Sequence, residues 1–411
     1  MPVKQSSQTD LSRRNAIIQA VALGLTAPLA GLSPSKVFAA TPISSQLPAG
    51  DIDTNLTLRV PQDFPTIIQA LEWTYRRRII GYGSITIQVA DGVYSSLPII
   101  PLHPDGQKIK LIGNRANPYA CQLNFDATKN GCGILAMNGY SLGMIDGFAI
   151  NGLGAYLGAY RWTDQAFGAG IYATGSGSSI TVGPAIRVKD FYYGIRADKN
   201  AKIVCQTVGT AYGAEVANAG DIGFFAWGGG YIEAMRSKAF NVGHSFTNAH
   251  GVPEMLGACF GVEMGGIGYF DGSYATGGLI AGFLAQTGAS LWAHEATSEN
   301  NNRSGGGVGF LTRQNGTMEC AYAISLNNSV GFSSNDGSYM EVTRITANYN
   351  AQDGVALDGG KIAGFAPSAN QNGGFGFKPT HLSKMNVPGY GGVGNKAGFV
   401  YAADPSCVII A

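Results

Sequence analysis

Charge is scarce in this 411-residue sequence. Lys, Arg, Asp and Glu make up only 13% of it, about half the usual ~25%. Neither sign prevails: 27 basic against 26 acidic residues leave a formal net charge of +1. That argues against nucleic acid as a partner, because phosphate binding calls for a basic patch or stripe. The six cysteines include no C-x-x-C pair, so neither a zinc ribbon nor a thioredoxin-like centre is suggested. His294-Glu295 has Ser298 where a zinc-binding H-E-x-x-H helix needs its second histidine. Neither Gly228-Gly229-Gly230 nor Gly305-Gly306-Gly307 is followed by Lys-Ser/Thr, so neither is a phosphate loop. No metal and no cofactor are expected. What abounds is glycine, 60 residues, about twice the usual ~7% share. With so much glycine and so little Glu and Lys, the chain is not expected to be mainly helical. Its 45% hydrophobic content excludes intrinsic disorder.

The N-terminus reads as an export signal over residues 1–39. Ser12-Arg13-Arg14 precedes an apolar run from Ala16 to Ala30, and Val37-Phe38-Ala39 places small residues for cleavage before Ala40. The paired arginines, with Lys36 near the cut, resemble a twin-arginine signal. The run is short for a span of ~20 apolar residues, and Gly24 and Pro28 interrupt it. No later segment is longer, so the mature chain is expected to have no membrane partner and to reside in the periplasm or outside the cell.

A Gly followed by an apolar residue recurs at Gly170, Gly194, Gly223, Gly261, Gly282, Gly309, Gly331, Gly354 and Gly374. Most intervals lie near 20–24 residues, and the longer ones read as coils with inserted loops, expected near 135–168 and 239–258. This period, with alternating apolar positions, predicts an all-β solenoid of short strands. Leucine-rich repeats would need an L-x-x-L-x-L frame that is missing. Counting nine residues from each Gly gives an inward column of Ile203, Ile232, Phe270, Leu291, Met318, Met340 and Ala363. Counting eleven gives a second, which includes Cys205 and Cys320; both read as buried, unpaired thiols. Asn241, Asn300, Asn327, Asn348 and Asn372 form a further column suited to left-handed turns. Residues 40–80 hold a first strand and a cap helix: Thr66 is placed to N-cap a segment whose Ile67, Leu71 and Tyr75 share one face. Residues 81–376 carry the repeat, and 377–411 form a second cap or a tail.

The stretch Asp63-Phe64-Pro65-Thr66-Ile67-Ile68-Gln69-Ala70, followed by Ile87-Gln88-Val89-Ala90-Asp91-Gly92-Val93-Tyr94, resembles the opening of right-handed parallel β-helix proteins of the pectin-lyase-like type. The repeats Gly309–Asn328 and Gly331–Asn350 look like the coils of phage tailspikes and related polysaccharide-processing proteins. The resemblance covers roughly residues 56–376. It implies a right-handed parallel β-helix, a polysaccharide partner and, as in related spikes, a possible homotrimer, although no coiled-coil stem is evident. It leaves activity open, because the fold hosts lyases, hydrolases, esterases, epimerases and adhesive fibres. No stretch like the Gln-Asp-Thr-Leu of pectinesterases stands in a matching setting.

The same register defines an outer face. Ten residues past each Gly come Val204, Glu233, Asp271, Trp292, Glu319, Glu341 and Gly364; eight past come Lys202, Tyr231, Tyr269, Ser290, Thr317, Tyr339 and Ile362. Acids and aromatics thus share one ridge, as sugar binding requires: apolar ring faces rest on aromatic side chains while carboxylates take hydroxyls. Glu319 and Glu341 are the leading catalytic pair, because neighbouring coils lie about 4.8 Å apart and a retaining glycosidase pair needs ~5–5.5 Å. Glu233 and Asp271 are the second pair. Tyr231, Tyr269, Trp292 and Tyr339 are candidate sugar platforms, and His294 and Arg344 a candidate base and clamp. Solvated surface carboxylates are the competing reading. For an acidic polymer, Arg236, Lys238, Arg303, Arg313 and Arg344 would supply a basic groove. The expectation is an exported polysaccharide-binding β-helix with hydrolase or lyase activity; the alternatives are a non-catalytic adhesin or tailspike-like fibre, and a carbohydrate esterase.

Overall fold

The computed structural model describes residues 50–410 apart from 96–97, 127–131, 154–167, 248–252, 303–304 and 402–404. The export segment 1–39 and Arg303 lie outside these. Three parallel sheets of 14, 11 and 11 strands run through the described chain. One coil visits each sheet in turn: Thr317–Glu319 in the first, Ile324–Leu326 in the second, Val330–Asn335 in the third. Tyr339–Glu341 then returns to the first, 22 residues on and paired in register. This is the expected right-handed parallel β-helix.

In the regular central coils each sheet contributes its own inward column. The first contributes Ile203, Ile232, Leu291, Met318 and Met340, all fully buried. The third contributes a ladder of Phe224, Phe260, Phe283, Phe310 and Phe332, whose rings stack at 4.7–4.9 Å. The second faces these rings with small residues: Ala239, Ala275, Ser298, Ser325, Ala347 and Ala369. After the second sheet, the buried Asn301, Asn328, Asn350 and Asn372 form a continuous hydrogen-bonded ladder up the helix, at 2.8–3.0 Å per bond.

Two parts of the expected register differ. Gly261 is not the repeat glycine of its coil. Ala258 pairs with Ile222 and Phe260 with Phe224, so Cys259 occupies that place. Every position counted from Gly261 therefore moves by two: Gly268, not Phe270, lies in the Ile232–Leu291 column. The coil from Gly354 has a turn one residue shorter, so Ile362 points inward in place of Ala363. Residues 135–153 form regular rungs, Ile134–Met137, Ser141–Asp146 and Phe148–Leu153, and the remainder of that expected loop lies outside the described residues. The second expected loop contains an antiparallel hairpin, His244–Thr247 with Pro253–Leu256.

At the N-terminal end, the helix Ile67–Thr74 begins at Thr66, whose Oγ1 accepts the Gln69 N–H at 3.2 Å, and it buries Ile67, Ala70 and Leu71. Past residue 376 the sheets continue. Phe375–Thr380 and Gly398–Val400 extend the third, and Lys384–Asn386 and Val408–Ile410 extend the first.

Candidate functional site

Pairing in the first sheet sets the outward columns directly. One column reads Val204, Glu233, Tyr269, Trp292, Glu319, Glu341 and Ala363. The neighbouring one reads Lys202, Tyr231, Ile267, Ser290, Thr317, Tyr339 and Lys361. Glu319 and Glu341 are cross-strand neighbours, as their spacing predicts. Tyr269 stands in the column of Trp292, not in that of Tyr231, and the place expected for Asp271 is its own. Asp271 lies two residues further on, in the turn that leads to the second sheet. Both shifts follow from the misplaced Gly261, since a two-residue offset keeps a side chain on its face but moves it along the strand.

The shift brings together groups that the sequence kept apart. Asp271 Oδ1 accepts the His294 backbone N–H at 2.8 Å and lies 3.3 Å from His294 Nδ1. The other ring nitrogen, Nε2, stands 3.7 Å from Glu319 Oε2. His294 thus bridges two carboxylates at the rim of the ridge, with Glu319 half exposed to solvent. Beside them the Tyr269 and Trp292 rings stack at 4.5 Å and 10°, and the Tyr231 ring follows at 5.6 Å from Tyr269. Stacking leaves Trp292 half-buried rather than openly exposed. The Tyr231 hydroxyl donates to Glu233 Oε2 at 3.2 Å; burial, with the Glu233 charge, pushes it up to about 12. Burial and the charges of Glu341 and Glu319 also push the Tyr339 phenol upward. Both phenols therefore stay protonated donors at neutral pH.

Other expected members lie apart. Glu233 and Asp271 do not share a column. Glu341 Oε1 accepts the Thr343 backbone N–H at 2.8 Å. Arg344 occupies a left-handed turn position, φ 52°, and rests on Tyr322, with Nη1 3.4 Å from its hydroxyl. The four described basic residues do not form one groove: Lys238 belongs to the second sheet and Arg313 to the third.

A concave region on the third sheet escaped the sequence reading. A cavity of about 500 Å³ is lined by Tyr193, Arg196, Asp221, Phe225, Trp227, Glu263 and Arg313, among others. Its signal was present, because Asp198, Trp227 and Glu263 recur at one position of successive coils. Among the described residues, no cluster of His, Cys, Asp and Glu is arranged to hold a metal ion.

No protein-family model and no curated protein match this sequence. Among solved structures the chain is similar to the catalytic domain of a GH87 α-1,3-glucanase. One such structure, in complex with nigerose, aligns at TM-score 0.52 and 13% identity, over 91% of this chain and 70% of that one. Another, in complex with tetrasaccharides, aligns at TM-score 0.51 with the same identity and coverage. The A-module of the Azotobacter vinelandii mannuronan C-5 epimerase AlgE4 aligns at TM-score 0.45 and 12% identity, over 88% of this chain and 97% of that one. The chain is a parallel β-helix. At such identities the likeness is one of fold.

Proposed function

We propose that this β-helix binds a polysaccharide along the outer face of its first sheet and hydrolyses it there. One observation carries the reading: Trp292 stands in register between Tyr269 and Glu319, while His294 ties Glu319 to Asp271. An aromatic platform and a carboxylate pair lie on adjacent rungs, so a sugar ring held on Trp292 places its glycosidic bond over Glu319 and Glu341. Rungs about 4.8 Å apart suit the ~5–5.5 Å of a retaining pair. In this scheme Glu319 protonates the glycosidic oxygen and Glu341 attacks the anomeric carbon. Water then releases the sugar, giving a proton back to Glu319. His294 is a positioning residue, held by Asp271. The glucanase neighbours make a polymer of neutral sugars the first substrate class to try.

The second reading, a glycan-binding adhesin without chemistry, is favoured by the bond that fixes Glu341 to the Thr343 N–H. A polysaccharide panel assayed for reducing ends and for unsaturated products separates the two. Glu319→Gln and Glu341→Gln are each expected to abolish turnover with binding retained, and Trp292→Ala to weaken binding by about 1–3 kcal/mol. Full activity in both Gln variants removes the reaction from this face. Binding without turnover in the unaltered protein selects the adhesin, and unsaturated products select a lyase.

A further inference from the structure

The third sheet carries an apolar layer on its outside as well as its inside. Tyr172, Phe225, Leu284 and Leu311 are buried there, on the face opposite the phenylalanine ladder, with Leu256 of the hairpin packed against them. The cavity of about 500 Å³ opens beside this layer. Its size falls within the ~300–1,000 Å³ of pockets that enclose small-molecule ligands.

Its polar groups are held in place from behind. Arg196 Nη2 pairs with Asp198 Oδ2 at 3.0 Å, and that same oxygen accepts the Tyr172 hydroxyl at 2.5 Å. The Arg196 guanidinium also lies 4.6 Å from the Tyr193 ring centre. Gln286 Nε2 donates to Glu263 Oε1 at 2.6 Å, and Arg313 Nε donates to Gln286 Oε1. Arg196, Arg313, Asp221 and Glu263 all line the cavity, and each has a partner: Asp198 for Arg196, Gln286 for both Arg313 and Glu263, and the Tyr192 and Tyr193 hydroxyls for Asp221. Burial, with Asp221 adding its charge, pushes Glu263 up to about 7; Arg313, Gln286 and Arg196 act against it. Burial pushes Asp221 up to about 6, against the Tyr192 and Tyr193 hydroxyls and Arg196.

We propose that this cavity is a second carbohydrate site, which takes a neutral sugar unit with an apolar ring face against Trp227 and hydroxyls on Glu263 and Asp221. A cationic ligand would meet Arg196 and Arg313. A uronate would find both lining cations already engaged, Arg196 by Asp198 and Arg313 by Gln286, with none left to take its charge in a poorly hydrated space. A purely apolar ligand would bury these polar groups without partners. A neutral sugar supplies both an apolar face and hydroxyls that donate and accept. The site lies on a different sheet from the proposed hydrolytic face and shares no residue with it.

Occupancy of this site is tied to protonation. A neutral ligand displaces water from Glu263 and Asp221 and so favours their uncharged forms. Binding takes up protons, and affinity falls as pH rises through the Glu263 midpoint. The groups that face this pair are Arg196, Arg313, Gln286, Tyr192 and Tyr193; Asp198 pairs with Arg196, and the His244 ring lies 6.1 Å from that of Tyr192. Glu263→Gln, which mimics the protonated acid, separates the Glu263 contribution from theirs.

The test is calorimetric titration of the full chain carrying Trp292→Ala, which weakens the first-sheet face. The probes are short neutral oligosaccharides of glucan and mannan, and oligouronates of equal length, at about pH 5.5 and about pH 8.5. One site per chain is expected for a neutral probe, about ten-fold or more weaker at the higher pH. Adding Glu263→Gln is expected to keep the binding tight at both pH values. Adding Trp227→Ala is expected to lose about ten-fold or more at both, with an unchanged melting temperature showing that the coil is intact. Absence of neutral-sugar binding, preference for oligouronates, or a pH profile that Glu263→Gln leaves unaltered each overturns the proposal. Failure of the hydrolytic reading would leave these expectations untouched, because they are read without turnover.

Discussion

Asn328 commits every polar atom of its side chain to the wall of the helix. Its Oδ1 accepts from the Asn301 backbone N–H and from Asn301 Nδ2, at 2.9 and 2.8 Å. Its Nδ2 donates to the Ser298 carbonyl and to Ser325 Oγ, at 3.0 and 2.8 Å. The asparagine column was visible in the sequence, but as a row of left-handed turn residues. That holds at Asn241, Asn300 and Asn327, whereas Tyr349 and Gln371 take the same conformation in the next coils. The bonding residue is the one after, and its partners belong to other coils, which local spacing does not reveal. Asn328→Leu, similar in volume, leaves several buried groups unpaired. It is expected to cost about 3 kcal/mol or more, read as a lowered midpoint in denaturant. An unchanged midpoint would mean that the ladder contributes nothing net.

At the scale of one coil, the Gly-apolar pair has a structural cause. A Cβ at Gly309 would sit 2.5 Å from the Gly331 carbonyl oxygen and 2.3 Å from Ser325 Oγ. One at Gly331 would sit 2.3 Å from the Gly354 carbonyl oxygen. Backbones of successive coils approach so closely there that a side chain has no room, and the following residue turns inward as the phenylalanine of the ladder. Cys259 breaks the pattern, and Gly261 two residues later imitates it. For this reason the columns at Tyr269 and Asp271 were legible only in part. Phe283 lies between Phe260 and Phe310 at 4.8 Å from each. Phe283→Ala removes both stacks and leaves a cavity, for an expected loss of about 3–5 kcal/mol. Urea unfolding measures it; a loss under about 1 kcal/mol would show that the neighbouring rings close the gap.

For the whole molecule, the two carboxyls of the third-sheet cavity shape stability against pH. In the unfolded chain they ionise near their ordinary values, 3.8 for Asp221 and 4.5 for Glu263. In the fold they hold their protons to about 6 and about 7. Between these limits the folded state binds more protons than the unfolded state, so their contribution lowers stability as pH rises and levels off above about pH 7. The double variant Asp221→Asn, Glu263→Gln lacks that penalty. Its melting temperature is expected to gain on the unaltered protein from about pH 4 to about pH 7, with the gain constant above. Parallel melting curves across that range would show that neither carboxyl is desolvated. The thiols follow the same logic of burial: Cys205 and Cys320 are both buried and free, and burial pushes both upward. They stand four rungs apart, roughly 19 Å at the rung spacing, far beyond the ~7 Å that a disulfide spans.

The sequence alone determined the coil period, the parallel stacking, the cap helix at Thr66 and the inward places of Ile232, Leu291, Met318 and Met340. These depend on alternation within one strand and on contact with the next coil, and both repeat along the chain. Tertiary structure decided which outward side chains meet. Asp271, His294 and Glu319 come from three successive coils, and their alignment hangs on turn lengths that a single misread glycine displaces. The cavity of Asp221, Glu263 and Trp227 needs a hairpin to wall it and an apolar layer beneath to desolvate its acids. The left-handed turn between the first and second sheets is occupied by Arg236, Glu295, Tyr322 and Arg344, residue types that give no local sign of that conformation. Packing between coils imposes it.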